Sequence, residues 1–140
     1  MSEEHRHPQV IQPSGWPRPI GYSNGMKIPS GSDLIVVAGQ VGWDSEEKFP
    51  PTFIEQWRQA LSNVMAVVEA GGGTGASLAS MTIYVTDKKD YLEDLKAVGS
   101  VWKEVIGRYF PAMALVEVAA LVEDEAMVEV QALASVKGEA

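Results

Sequence analysis

The chain contains no cysteine, which excludes disulfides, thiolate nucleophiles and thiolate-bound zinc or iron–sulfur clusters. Histidine is nearly absent: His5 and His7 are the only two, both in the polar leader MSEEHRHPQV. A metal site needs a third ligand in fixed geometry, and a histidine-based triad needs its base beside a nucleophile; the leader supplies neither. Basic residues are outnumbered, 11 Lys and Arg against 19 Asp and Glu, giving a formal net charge of −8. That balance repels a phosphate backbone, and no basic stripe with interleaved aromatics offsets it, so nucleic acid is not an expected partner. No apolar run approaches the roughly 20 residues of a membrane span, and the leader lacks the apolar segment of a signal peptide. The expectation is therefore no membrane partner and a cytoplasmic location.

What is present points to one domain. The 140 residues are 46% hydrophobic and 21% charged, enough for a single core. Residues 1–9 read as a mobile N-terminal tail, 10–136 as one domain and 137–140 as a C-terminal tail. Residues 13–31 are dense in proline and glycine and read as a surface-running segment that can shape a site.

The apolar, β-branched stretch 34–38 predicts a buried strand, extended by Gly39, Gln40 and Val41 into a turn or bulge. Thr52 and Glu55 form a capping-box pattern, and Phe53, Trp57, Ala60, Leu61, Val64, Met65 and Val68 recur at helical spacing. Gly71, Gly72 and Gly73 end that helix; without a Lys–Ser/Thr pair they form no phosphate loop. Residues 81–85 predict a strand. A second helix is expected from Asp90 as N-cap through Leu92, Leu95, Val98, Trp102 and Ile106 to Gly107. Two final strands, 114–120 and 127–136, flank the acidic turn Glu123–Asp124–Glu125, and the last alternates: Val128, Val130, Ala132 and Ala134 one way, Glu129, Gln131 and Leu133 the other. Two helices cover only one face of such a sheet, so the other calls for a partner.

Several side chains could carry chemistry. Glu129, a carboxylate in an apolar strand, is either hydrogen-bonded in a cleft or solvated at an edge. Glu117 poses the same question and reads as structural. Tyr22, in a loop, either lines a pocket or caps the core; Arg18, between two prolines, either clamps a carboxylate or is solvated. Trp57 and Trp102 read as core, whereas Trp16 and Trp43 lie on loops and could wall a pocket.

Five ordered segments carry a resemblance: IGYSNG around Tyr22, IVVAGQV around Gly39, QWRQALSNVMAVVEAGG, MTIYVTD, and FPA followed by VEVAAL and VEVQALA. Together they resemble the YjgF/RidA family over about residues 10–136. The resemblance implies an α+β, chorismate-mutase-like mixed sheet with two helices on one face. It also implies homotrimers with ligand clefts between neighbouring subunits. Many such proteins hydrolyse enamines and imines to carbonyl compounds and ammonia without a cofactor; others carry an endoribonuclease label that the acidic charge argues against here.

By resemblance, Tyr22 matches the family tyrosine, and Glu129 the glutamate that positions water. Ala38, Gly39 and Gln40 match a Ser–Gly–Gln strand end whose serine is lost. Met113 stands where the family places a carboxylate-binding arginine, and Leu115 where a cysteine is usual. Methionine cannot hold a carboxylate, and a charged hydrogen bond is worth about 1.5–3 kcal/mol. Two readings follow. One is a divergent deaminase using Glu129 and Tyr22 as catalytic groups, with Arg18 standing in for the lost arginine and Ala38, Gly39, Gln40, Trp43, Met113 and Leu115 around the substrate. The other is a non-catalytic trimer that binds small ligands.

Overall fold

The computed structural model describes residues 7–138. Its main sheet has the order β3-β6-β4-β5, with β3 at Ser32–Val41, β4 at Leu78–Val85, β5 at Ala112–Glu117 and β6 at Val128–Lys137. Strand β6 is antiparallel to both β3 and β4, and β5 runs parallel to β4. Helices α1 (Phe53–Ala70) and α3 (Leu95–Val105), the latter preceded by the short α2 (Lys88–Leu92), cover one face. The fold is the expected mixed α+β sheet with two long helices on one side.

The sequence explains the main elements. Thr52 caps α1 by accepting from the Glu55 amide at 3.3 Å, and every apolar residue assigned to its face is buried. The chain leaves α1 through Gly72, whose φ of 91° is left-handed, and leaves α3 through Gly107 at 104°. In β6, Val128, Val130, Ala132 and Ala134 are buried under the helices, while Glu129, Gln131 and Leu133 take the uncovered face. Strand β3 runs on through Gly39, with a register irregularity between Val37 and Gln40 where a bulge was expected.

Five features differ from expectation. A short antiparallel hairpin, β1 (Gln9–Ile11) with β2 (Gly25–Lys27), stands outside the main sheet and was not foreseen. Of the proposed tail, residues 1–6 lie outside the described residues, but Pro8 is buried and Gln9 pairs with Lys27, so ordered chain starts earlier. Lys137, assigned to a C-terminal tail, still belongs to β6. The second helix is two: Asp87 caps α2 through the Lys89 amide (3.0 Å), and Asp94, at a non-helical φ of −140°, caps α3 through the Ala97 amide (3.1 Å). Asp90 is thus inside α2 rather than at its cap, and burial, then Asp87 and Glu93, raise its carboxyl pKa. Strand β5 ends at Glu117 rather than at 120, after which the Val118 amide makes a last bond to Val85 O (2.8 Å).

Gln56 ties α1 to the loops around it. Its amide donates to Pro50 O (3.1 Å) and Glu125 O (3.0 Å), and its Oε1 accepts from the Met127 amide (2.8 Å). The side chain is buried. Gln56→Ala should cost about 3 kcal/mol, because three backbone groups lose their partner; urea unfolding with an unchanged m-value checks this, and a loss below about 1 kcal/mol would show that water replaces the amide.

Candidate functional site

The candidate residues fall into three groups, and β-sheet register decides which can meet. Met81 aligns with Met113 and Ile83 with Leu115, so Met113 and Leu115 share the helix-covered side of the sheet. Both pack at the edge of the core. Tyr84 aligns with both Val116 and Glu129, which places Glu129 on the uncovered face. Met113 and Leu115 therefore lie on the opposite face of the sheet from Glu129.

Around Glu129 the surface is built for close approach. A Cβ on Gly39 would sit 2.5 Å from Glu129 Oε2, so the carboxylate lies directly over the glycine backbone. Neither ion pair among the described residues, Lys48–Glu46 or Arg58–Glu104, involves Glu129. From β4, Tyr84 donates its hydroxyl to Gln131 Oε1 on β6 at 2.9 Å, which puts a polar pair on the same face. Ala38 is exposed beside Gly39. Gln40 bends back to donate to Ala38 O (3.3 Å) and, with Trp43, borders an open groove of about 600 Å³ on the far side of α1. Trp43 packs on Phe49, and Asn63 anchors this bend by donating to Val41 O (3.0 Å) and Trp43 O (2.9 Å).

Tyr22 and Arg18 are brought together elsewhere. With Ser23 and Phe110 they line a recess of about 260 Å³. Ser23 fixes it: its amide donates to Pro111 O (3.0 Å), its hydroxyl to Phe110 O, and it bridges to Ala112 at the start of β5. Tyr22 itself is 44% exposed, so it does not cap the core. Glu129 is level with Val116, at the other end of β5 and two strands away, which at usual strand spacings puts it on the order of 15 Å from Tyr22. One subunit does not join them.

Met113 opens into a third space, a cavity of about 330 Å³ between the β4–β5 edge and α3. Its walls include Trp57, Tyr91, Trp102 and Phe110. Burial raises the Tyr91 phenol above its ordinary range, so this wall is neutral. Trp57 and Trp102 are core residues as expected, and they also face this space. Glu117 is structural: its carboxylate accepts from the Lys88 amide (3.0 Å) at the start of α2. His7 is half-buried beside Pro8 rather than in a solvated leader, and no cluster of potential metal ligands occurs among the described residues. Among the same residues no helix is long and apolar enough to cross a membrane.

The family model for endoribonuclease L-PSP proteins matches residues 17–136. The chain belongs to the YjgF/RidA family. It is 32% identical over 114 residues to a RutC family protein of Pyrococcus abyssi, covering 79% of this chain and 84% of that one. It is 30% identical over 115 residues to the 2-iminobutanoate/2-iminopropanoate deaminase of Capra hircus, covering 80% and 79%. The fold matches that of a Rid family protein, YyfB of Yersinia pestis, with a TM-score of 0.80 at 24% identity over 91% of this chain and 98% of that one.

Two glycines separate a tolerant contact from a rigid one. At Gly42 a Cβ would meet the Gln56 backbone at 2.5 Å, whereas at Gly39 it meets only the end of a flexible side chain. Gly42→Ala should lose about 1–3 kcal/mol through overpacking. Gly39→Ala should lose less than about 1 kcal/mol. Denaturant melts of both variants check the contrast, and equal losses would mean that Glu129 is held as rigidly as a backbone.

Proposed function

We propose that this protein hydrolyses a reactive enamine or imine to a carbonyl compound and ammonia, at a site assembled between subunits of a homotrimer. The observation that carries the reading is Glu129, a carboxylate without an ion-pair partner among the described residues, lying over Gly39 on a sheet face that its own helices leave bare. Membership in a family that includes 2-iminobutanoate/2-iminopropanoate deaminases supports the reaction class. The same bare face exposes Leu34 and Val36, the latter at 74%, which favours burial against another copy. Such packing would also bring the Tyr22 loop of one copy toward Glu129 of the next, which a lone subunit does not do.

The chemistry needs little else. An enamine first tautomerises to its imine. Glu129 takes a proton from water as the oxygen bonds to the C=N carbon, and the nitrogen takes one from solvent. The carbinolamine then collapses: Glu129 passes its proton to the nitrogen, the C–N bond breaks and ammonia leaves, and the hydroxyl gives its proton to solvent as the C=O bond forms. Tyr22 orients the substrate from the loop. Arg18, in the same recess, is the cation placed to meet a substrate anion there, since Met113 offers none.

The second reading, a trimer that binds ligands without turnover, is favoured by one observation: Met113 and its aromatic neighbours form a space whose lining holds no Asp or Glu side chain. Ammonia release separates the two. Glu129→Gln should lower turnover by at least about 100-fold, with a sedimenting mass still three times the 15.1 kDa chain. Turnover retained in that variant would remove Glu129 from the reaction. Met113→Arg should raise turnover of small 2-imino acids roughly tenfold through a new charged hydrogen bond; no gain would mean that position does not see the substrate carboxylate.

A further inference from the structure

The cavity beneath α3 is walled by aromatic rings. Trp57 stacks on Trp102 with centroids 6.4 Å apart, Trp102 on Phe110 at 6.2 Å, and Tyr91 stands edge-on to Trp57 at 5.7 Å. The polar handles of both indoles are already used: Trp57 Nε1 donates to Val98 O (3.2 Å) and Trp102 Nε1 to Tyr109 O (3.0 Å). What remains to a ligand is mostly carbon surface, with the Tyr91 hydroxyl and the Lys103 ammonium as its polar side-chain groups, closed at the sheet by Met113, whose soft side chain adapts to ring edges.

Gly99 is the second observation. It lies inside α3, lines the cavity, and has nothing within 4 Å of where a Cβ would stand. Glycine weakens a helix interior relative to alanine, and no close packing or positive φ requires it here. Its effect is to keep the space open. Two cations stand near the opening. Lys103 is on the cavity's own rim and in neither ion pair, and Arg18 is in the adjoining recess, which shares Gly21 and Phe110.

The geometry points to a binding site for a single-ring aromatic acid: the ring lies against Trp57, Trp102 and Phe110 in the space that Gly99 leaves, and the carboxylate sits at the opening near Lys103 and Arg18. A volume of about 330 Å³ is at the small end of ligand pockets, which suits one ring and a short chain. This deepens the deaminase reading by assigning the substrate an aromatic side chain, and it rests on that reading for turnover but not for binding.

Calorimetric titration with phenylpyruvate, the ketone that an aromatic 2-imino acid would yield, tests it against pyruvate, which lacks the ring, and phenylacetone, which lacks the carboxylate. Phenylpyruvate should bind at least about tenfold more tightly than pyruvate. Gly99→Leu, which fills the space, should lose that advantage while its melting temperature does not fall below that of the unmodified protein; Gly99→Ala should melt higher. Replacing Lys103 with Met and Arg18 with Ala together should weaken phenylpyruvate about fivefold and leave phenylacetone unchanged. Equal affinity for pyruvate, no binding of either ring compound, or full affinity in a folded Gly99→Leu variant would overturn the site. Binding of phenylpyruvate by a protein that releases ammonia from no imine would keep the pocket and remove the deaminase reading. Turnover with no preference for a ring would do the reverse.

Discussion

The alternation of β6 between its two neighbours governs everything else. Because β6 pairs on both edges, its register is fixed from both sides, and a shift of one residue would turn Glu129 into the core and Val128 and Val130 out of it. With the valines buried under α1, Glu129 is committed to the bare face. The parallel register of β5 on β4 then commits Met113 and Leu115 to the helix side. The sheet thus divides the candidate residues between its two faces.

This division also frames the methionine that stands where the resemblance implies an arginine. On the helix side of β5, Met113 faces aromatic rings and the gap left by Gly99. A buried cation there would need a carboxylate or an open path to water. A methionine continues the core surface instead. Met113 and Leu115, both apolar, give this side of β5 one consistent character, while the carboxylate of Glu129 stands on the other face.

Much of the fold was legible because it is written in local pattern. Thr52 and Glu55 announce α1, Gly72 and Gly107 end the two long helices, and the strict alternation from Val128 to Ala134 identifies which face is buried. The hairpin β1–β2 was not legible, since each strand is three residues long and the segment between them is dominated by turn formers. The break at Asp94 was hidden because Leu92 and Leu95 both suit a helical period, yet both are exposed. Of the site, the identity of Glu129 and Tyr22 could be read from residue type and resemblance, but their separation could not: it depends on the order β3-β6-β4-β5. The cavity was invisible for the same reason, as Gly99, Tyr91, Phe110 and Met113 come from different elements and carry no shared motif.

The central claim, that Tyr22 of one copy works with Glu129 of another, is tested most directly by mixing two inactive chains. Tyr22→Ala and Glu129→Gln subunits, unfolded together and reassembled at equal amounts, should regain roughly a quarter of the unmodified ammonia release, since random closure leaves one interface in four with both residues intact. If both residues act within a single subunit, every site in the mixture carries one defect and no activity returns.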